Sequence, residues 1–163
     1  MKKLLVLIIG FTLLLSTGCV TDPPRYYFDL DELLDEVVKI ELVECKNDNP
    51  IMISVNDSSI PGFDLNSIQL IKELPYDRVK DFLQELSTVT FHIENESVNS
   101  PVGYAVLIYT KNNEIIVLSC TVLNNYGYSM VAKFSADGKF INHIARFADE
   151  PKYKRMIEKY FNL

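Results

Sequence analysis

Polar and apolar residues recur along this 163-residue chain with two periods, and the points where the period switches divide it into elements. After Met1-Lys2-Lys3 comes an almost unbroken apolar run over residues 4–15, which has neither period. Residues 29–36 place Leu30, Leu33 and Leu34 at helical spacing behind Asp29 or Asp31 as cap, which predicts a short helix. Over 37–45, Val38, Ile40 and Leu42 alternate with Lys39 and Glu41, which predicts a strand with one wet face. Lys46-Asn47-Asp48-Asn49-Pro50 is turn chemistry, and 51–55 is expected to fold back on the preceding strand as an antiparallel hairpin. A loop over 56–66 leads into a strand over 67–74, where Ile68, Leu70 and Lys72 alternate with Gln69, Ile71 and Glu73 until Pro75 stops it.

The second half follows the same logic. Val79, Phe82, Leu83 and Leu86 fall on one face of a helix over 76–86. Val89, Phe91 and Ile93 predict a strand over 87–93, and the polar stretch 94–101 is expected to be exposed. Residues 103–110 and 115–122 are apolar at both alternating positions, as strands covered on two sides must be, with Lys111-Asn112-Asn113-Glu114 as the hairpin turn between them. Tyr128, Met130, Ala132 and Phe134 form an alternating face, and Ala136-Asp137-Gly138-Lys139 turns the chain into a last strand over 140–145. A closing helix over 150–161 has Pro151 in its first turn, Asp149 or Glu150 as cap, and Tyr153, Met156, Ile157, Tyr160 and Phe161 on one face. These elements predict an α+β fold: one domain over 29–163, with a largely antiparallel sheet and an internal and a C-terminal helix packed on it.

The apolar run at the start reads differently. Two lysines, about a dozen apolar residues and a small-residue site have the three-part build of a secretory signal peptide, and the run is too short to span a bilayer core. Its end, Leu15-Ser16-Thr17-Gly18-Cys19, resembles the lipobox of bacterial lipoprotein precursors, with Ser16 where an aliphatic residue is commonest. The resemblance covers the leader only. It implies cleavage between Gly18 and Cys19, a diacylglyceryl group on the Cys19 thiol, and attachment to a bacterial membrane on its extracytoplasmic side. Residues 19–28, with Thr21-Asp22-Pro23-Pro24, are then the lipidated N-terminus and an extended tether.

Charge narrows the partners. Sixteen basic and 22 acidic side chains give a formal net charge of −6, and loss of Lys2 and Lys3 with the leader takes the mature part to −8. Such a balance disfavours nucleic acid and direct adhesion to anionic lipid, so attachment is left to the lipid on Cys19. Of the three cysteines, lipidation consumes Cys19, leaving Cys45 and Cys120, which could form a disulfide in an exported compartment or sit apart as buried thiols.

Candidate chemistry is sparse. There is no Gly-x-Ser-x-Gly, Ser-x-x-Lys, His-Glu-x-x-His or glycine-rich phosphate loop, so no catalytic residue and no cofactor is implied. His92 and His143 are isolated strand histidines and would need a neighbouring carboxylate to act as bases. Asp29, Asp31, Glu32, Asp35 and Glu36 lack the glycine and terminal glutamate of a calcium loop and suit a helix start; Asn47, Asp48 and Asn49 suit a turn; no metal site is expected. Tyr104, Tyr109, Tyr126 and Tyr128 gather around the later hairpins, as core or as a binding surface. Lys152, Lys154, Arg155 and Lys159 form the solvated face of the last helix. The expectation is a non-enzymatic, membrane-anchored envelope lipoprotein whose domain binds a protein or envelope component. The alternatives are a small-ligand carrier, an enzyme with an unfamiliar site, or a surface immunity or protection lipoprotein.

Overall fold

The computed structural model describes residues 24–45, 51–53, 68–93, 98–100, 103–119, 130–147 and 150–163. In chain order the elements are β1 (Arg25–Tyr26), α1 (Leu30–Glu36), β2 (Val37–Cys45), β3 (Ile51–Ile53), β4 (Ile68–Glu73), α2 (Tyr76–Leu86), β5 (Phe91–His92), β6 (Val98–Ser100), β7 (Tyr104–Thr110), β8 (Glu114–Ser119), β9 (Met130–Ser135), β10 (Phe140–Phe147) and α3 (Glu150–Phe161). Eight strands make one sheet in the order β1-β5-β10-β9-β8-β7-β2-β4, with every neighbouring pair antiparallel. Both helices and strands are present, and the domain is α+β.

Two tight turns build the centre of this sheet by the same device. Between β7 and β8, Asn113 takes the left-handed conformation at φ 58°, and its N–H donates to the Thr110 carbonyl at 3.2 Å. Between β9 and β10, Gly138 does so at φ 81°, its N–H donating to the Ser135 carbonyl at 2.9 Å. One left-handed residue after a type I turn matches the twist of the flanking strands, and asparagine and glycine adopt it at least cost.

Because side chains alternate across a strand, the two-sided apolar segments bury both faces. Ile40, Leu42, Val106, Ile108, Ile116, Leu118 and Val131 face one way, into the main core, with Leu33, Phe82, Leu83, Leu86, Tyr153, Met156, Ile157, Tyr160 and Phe161 from the three helices. Val43, Ala105, Leu107, Ile115, Val117, Ala132 and Phe134 face the other way and form a second buried cluster, to which no described helix contributes. The helices therefore lie on one side of the sheet.

Polar contacts fix the helix ends. Asp29 caps α1, its Oδ1 accepting from the N–H groups of Asp31 at 2.9 Å and Glu32 at 3.1 Å. At the other end of the chain, the last four carbonyls of α3 all find donors, although a helix leaves such groups without internal partners. Leu163 N–H reaches Glu158 O at 3.2 Å across Asn162 in the left-handed conformation, a Schellman-type end. Arg78 of α2 donates to Lys159 O at 3.3 Å and Tyr160 O at 3.1 Å, and Lys72 of β4 donates to Phe161 O at 3.0 Å. These cations also meet the negative end of the helix dipole. Behind them Phe82 packs edge-on against Tyr160 and Phe161, with ring centroids 5.3 and 6.1 Å apart.

Several expectations need correction. The strand over 51–53 pairs with β6, in a two-stranded sheet of its own, and not with β2 as a hairpin. Within the polar stretch 94–101, Val98–Ser100 forms β6, a strand that the pattern of residues did not announce. The strand expected over 87–93 shrinks to Phe91–His92, because the N–H groups of Ser87, Thr88 and Val89 are turned back to close the C-terminus of α2. β2 has no simple wet face: Glu41 is buried, while Val38 is exposed beside a register shift between Val37 and Lys39. Residues 25–28, expected to belong to an extended tether, are part of the fold: Arg25 and Tyr26 pair with β5, and Phe28 is in the core, edge-on to Tyr26 and Phe91 with ring centroids 5.3 Å from each.

Phe82 joins α2 to α3, so Phe82→Ala should cost about 3–5 kcal/mol of stability through lost burial and the cavity left behind. Tyr76, 89% exposed, should tolerate replacement by serine within about 0.5 kcal/mol. Urea unfolding of both variants checks the contrast.

Candidate functional site

The sheet face turned away from the helices carries the chemistry the sequence offers. Strand register sets Lys39 opposite Tyr109, and Glu41 opposite both Leu107 on β7 and Glu73 on β4. Alternation puts Lys39, Glu41 and Tyr109 on the same side as the second apolar cluster, at its β2 border. Lys39 Nζ lies 2.6 Å from Glu41 Oε1 and 4.2 Å from the centroid of the Tyr109 ring. The Tyr109 hydroxyl is also hydrogen-bonded to Glu41.

Glu41 retains only 8% of its surface and is the one charged residue buried among those described. Desolvating a carboxylate costs several kcal/mol unless close partners compensate, and here an ammonium and a phenol do so. Partial burial first, and then the hydrogen bond to the Glu41 carboxylate and its charge, raise the Tyr109 hydroxyl well above the usual tyrosine range. The trio is thus a neutralised polar knot with a cation–π contact. Its phenol is held away from titration near neutral pH, unlike a general acid or base suited to that pH.

At the opposite end of the face stands a line of basic positions. Arg25 on β1 is directly opposite His92 on β5, and Arg146 on β10 occupies the register position on the other side of His92. Phe91 belongs to the helix-side core, so His92 faces the other way. Its Nδ1 is buried and has no hydrogen-bond partner among the described residues. His143 lies at the register position opposite Ala132, which belongs to the second cluster, and so on that same side of the sheet. The positions directly opposite His92 are cations and not the carboxylate that a histidine base would need.

The other candidates fall as follows. Cys19 and Cys120 lie outside the described residues, as do Asn47, Asp48, Asn49, Tyr126, Tyr128 and Asp149; Cys45 ends β2 opposite Ile68. Tyr104 and Tyr109 do not gather on one surface: Tyr104 packs against the helix-side core and Tyr109 against the opposite cluster, so the sheet separates them. In the acidic run, Asp29 is occupied as a helix cap, and no group of three or more potential metal ligands converges among the described residues. Along α3, Lys152 donates to Thr88 O, Lys154 stands 4.0 Å from Glu158, and Lys159 pairs with Glu85 at 2.6 Å. No described helix is long and apolar enough to cross a membrane. The polar knot escapes a reading by residue type because Lys39 and Glu41 look solvated until Tyr109 is brought beside them. The i, i+2 spacing of opposite charges within a strand, which puts both on one face, was the available signal.

A scan against protein-family models finds no match, and comparison with curated proteins and with solved structures finds none either.

The raised Tyr109 hydroxyl gives the knot a signature. An unfolded tyrosine loses its proton near about pH 10, while folded Tyr109 keeps it to higher pH. Above about pH 10 the folded chain therefore binds more protons than the unfolded one, and stability present below that pH is lost as pH rises. Tyr109→Phe should lower the urea midpoint at about pH 8 and shrink the further drop between about pH 8 and 11. An undiminished drop would mean that Tyr109 titrates alike in both states. Burial also raises Tyr26 and Tyr160, whose alkaline contributions remain in both proteins.

Proposed function

We propose that this chain is a bacterial envelope lipoprotein. In this reading residues 1–18 are a cleaved leader, Cys19 is lipidated and fixed to a membrane on its extracytoplasmic side, and the α+β domain binds a protein or envelope component without catalysing a reaction. The observation that carries the reading is Leu15-Ser16-Thr17-Gly18-Cys19 immediately behind a charged and then apolar leader. Acyl chains contribute about 0.8 kcal/mol per buried methylene, so two or more chains on one cysteine hold the protein without help from an acidic domain.

Two arrangements on the sheet favour a binding domain over an enzyme. Lys39, Glu41 and Tyr109 already satisfy one another, and His92 has cations directly opposite in register. Neither supplies the nucleophile and base pair, or the acid and base of separated pKa, that hydrolytic chemistry needs.

In bacteria expressing the full chain, Cys19→Ala should move the protein from the membrane to the soluble fraction, or leave it as uncleaved precursor, and abolish labelling by an alkynyl fatty acid. Unchanged fractionation together with unchanged labelling would overturn the lipoprotein reading.

A further inference from the structure

We infer that the β1–β5 end of the sheet is the membrane-facing surface of the anchored protein, with Arg25, Tyr27 and Ile93 meeting the headgroups of anionic phospholipid. This rests on lipidation at Cys19, and adds to it the question of which surface the anchor presents to the bilayer.

Chain length supplies the first argument. Five residue steps separate Cys19 from Pro24, and an extended chain covers at most about 3.6 Å per residue, so Pro24 lies within roughly 18 Å of the lipidated residue. Pro24 is itself fixed to the sheet, its carbonyl accepting from the Ile93 N–H at 2.9 Å. The eight-stranded order puts β1 at one end and β4 at the other. Seven gaps of about 4.8 Å separate them, roughly 34 Å. The headgroup layer is itself about 5–8 Å deep on each side of the hydrocarbon core. So short a connection keeps the β1 end beside the headgroups and lets the β4 end stand away.

The residues at that end suit such a contact. Tyr27 is 48% exposed and Ile93 is 42% exposed, an aromatic with a polar tip and an aliphatic, each directly following one of the two outermost strands there. Tyrosine is a residue type enriched at the level of lipid headgroups. Arg25 is exposed beside them, and His92 and the Arg146 position continue the basic line inward across β5 and β10. The mature chain carries a net charge of −8, so an anionic surface repels it as a whole. A basic end within such a chain therefore orients it. Among the described acidic groups, Asp29 and Glu32 act on Tyr26 of β1; Asp29 is engaged as the cap of α1, with Asp31 and Glu32 in the first turn of that helix.

The chain contains no tryptophan, so one introduced residue reports its own surroundings. The test uses the full lipidated protein, purified from membranes and reconstituted into vesicles of phosphatidylcholine with or without phosphatidylglycerol. Lipid brominated on its acyl chains serves as quencher. Tyr27→Trp should be quenched several-fold more strongly than Tyr76→Trp, which sits beyond β4 and is 89% exposed. Phosphatidylglycerol should deepen the quenching at position 27. Adding Arg25→Gln and Arg146→Gln should remove that increment, and Arg25→Lys with Arg146→Lys should keep it.

Equal quenching of the two reporters, or none at position 27, overturns the assigned orientation. Quenching indifferent to phosphatidylglycerol overturns the assignment of anionic lipid. The intact mass of the purified protein separates these outcomes from failure of the underlying reading. A protein whose Cys19 bears no acyl mass refutes the anchor, whereas a lipidated Tyr27→Trp variant whose fluorescence is unquenched refutes only the orientation.

Discussion

Burial of both faces of the middle strands is the constraint on which this domain depends. β7 and β8 carry apolar residues at nearly every position, so neither side of the sheet can be left to water. One side is closed by three helices, whose faces supply Leu33, Phe82, Leu83, Leu86, Tyr153, Met156, Ile157 and Phe161 to a single core. The other side holds a smaller cluster ending in a charged border, where the Lys39 ammonium neutralises the buried Glu41 and the Tyr109 hydroxyl hydrogen-bonds to it. Strand order follows from the same demand. The most apolar strands take interior positions, and the short β1 and the largely exposed β4 take the ends.

Local pattern made some of this legible. α2 and α3 have the boundaries their spacing implies, because an apolar stripe of period 3.6 with polar residues between has few other solutions. β2 likewise runs over the expected residues, and the turns at Asn113 and Gly138 announce themselves by residue type. What was not legible depends on partners distant in sequence. Ile51–Ile53 carries no mark that its partner is Val98–Ser100 and not the strand just before it. Nor does Arg25-Tyr26 look like a strand until Phe28 and Phe91 supply an aromatic contact to hold it.

The candidate site divides in the same way. Cys19, the proposed lipidation site, is picked out by contiguous sequence alone, since such a signal is read as a linear segment. The basic line and the polar knot are assembled from β1, β5 and β10, and from β2 and β7, and neither exists in any window of the sequence. Tyr104 and Tyr109 show the converse. Five positions apart on one strand, they look like neighbours, but odd spacing in a strand sends them to opposite sides.

The clamp at the end of α3 bears on the order in which the molecule can assemble. Arg78 and Lys72, near the middle of the chain, hold carbonyls of residues 159–161, and β5 finds β10 across more than fifty residues. A chain delivered across a membrane from its N-terminus would present α2 and β4 long before α3 arrives to cover them. Until then Phe82, Leu83 and Leu86 lack the helix that Tyr160 and Phe161 bring, and closure of the main core waits for residues 150–163. Contacts so distant in sequence favour slow folding and leave apolar surface open to assisting or competing proteins while the chain emerges.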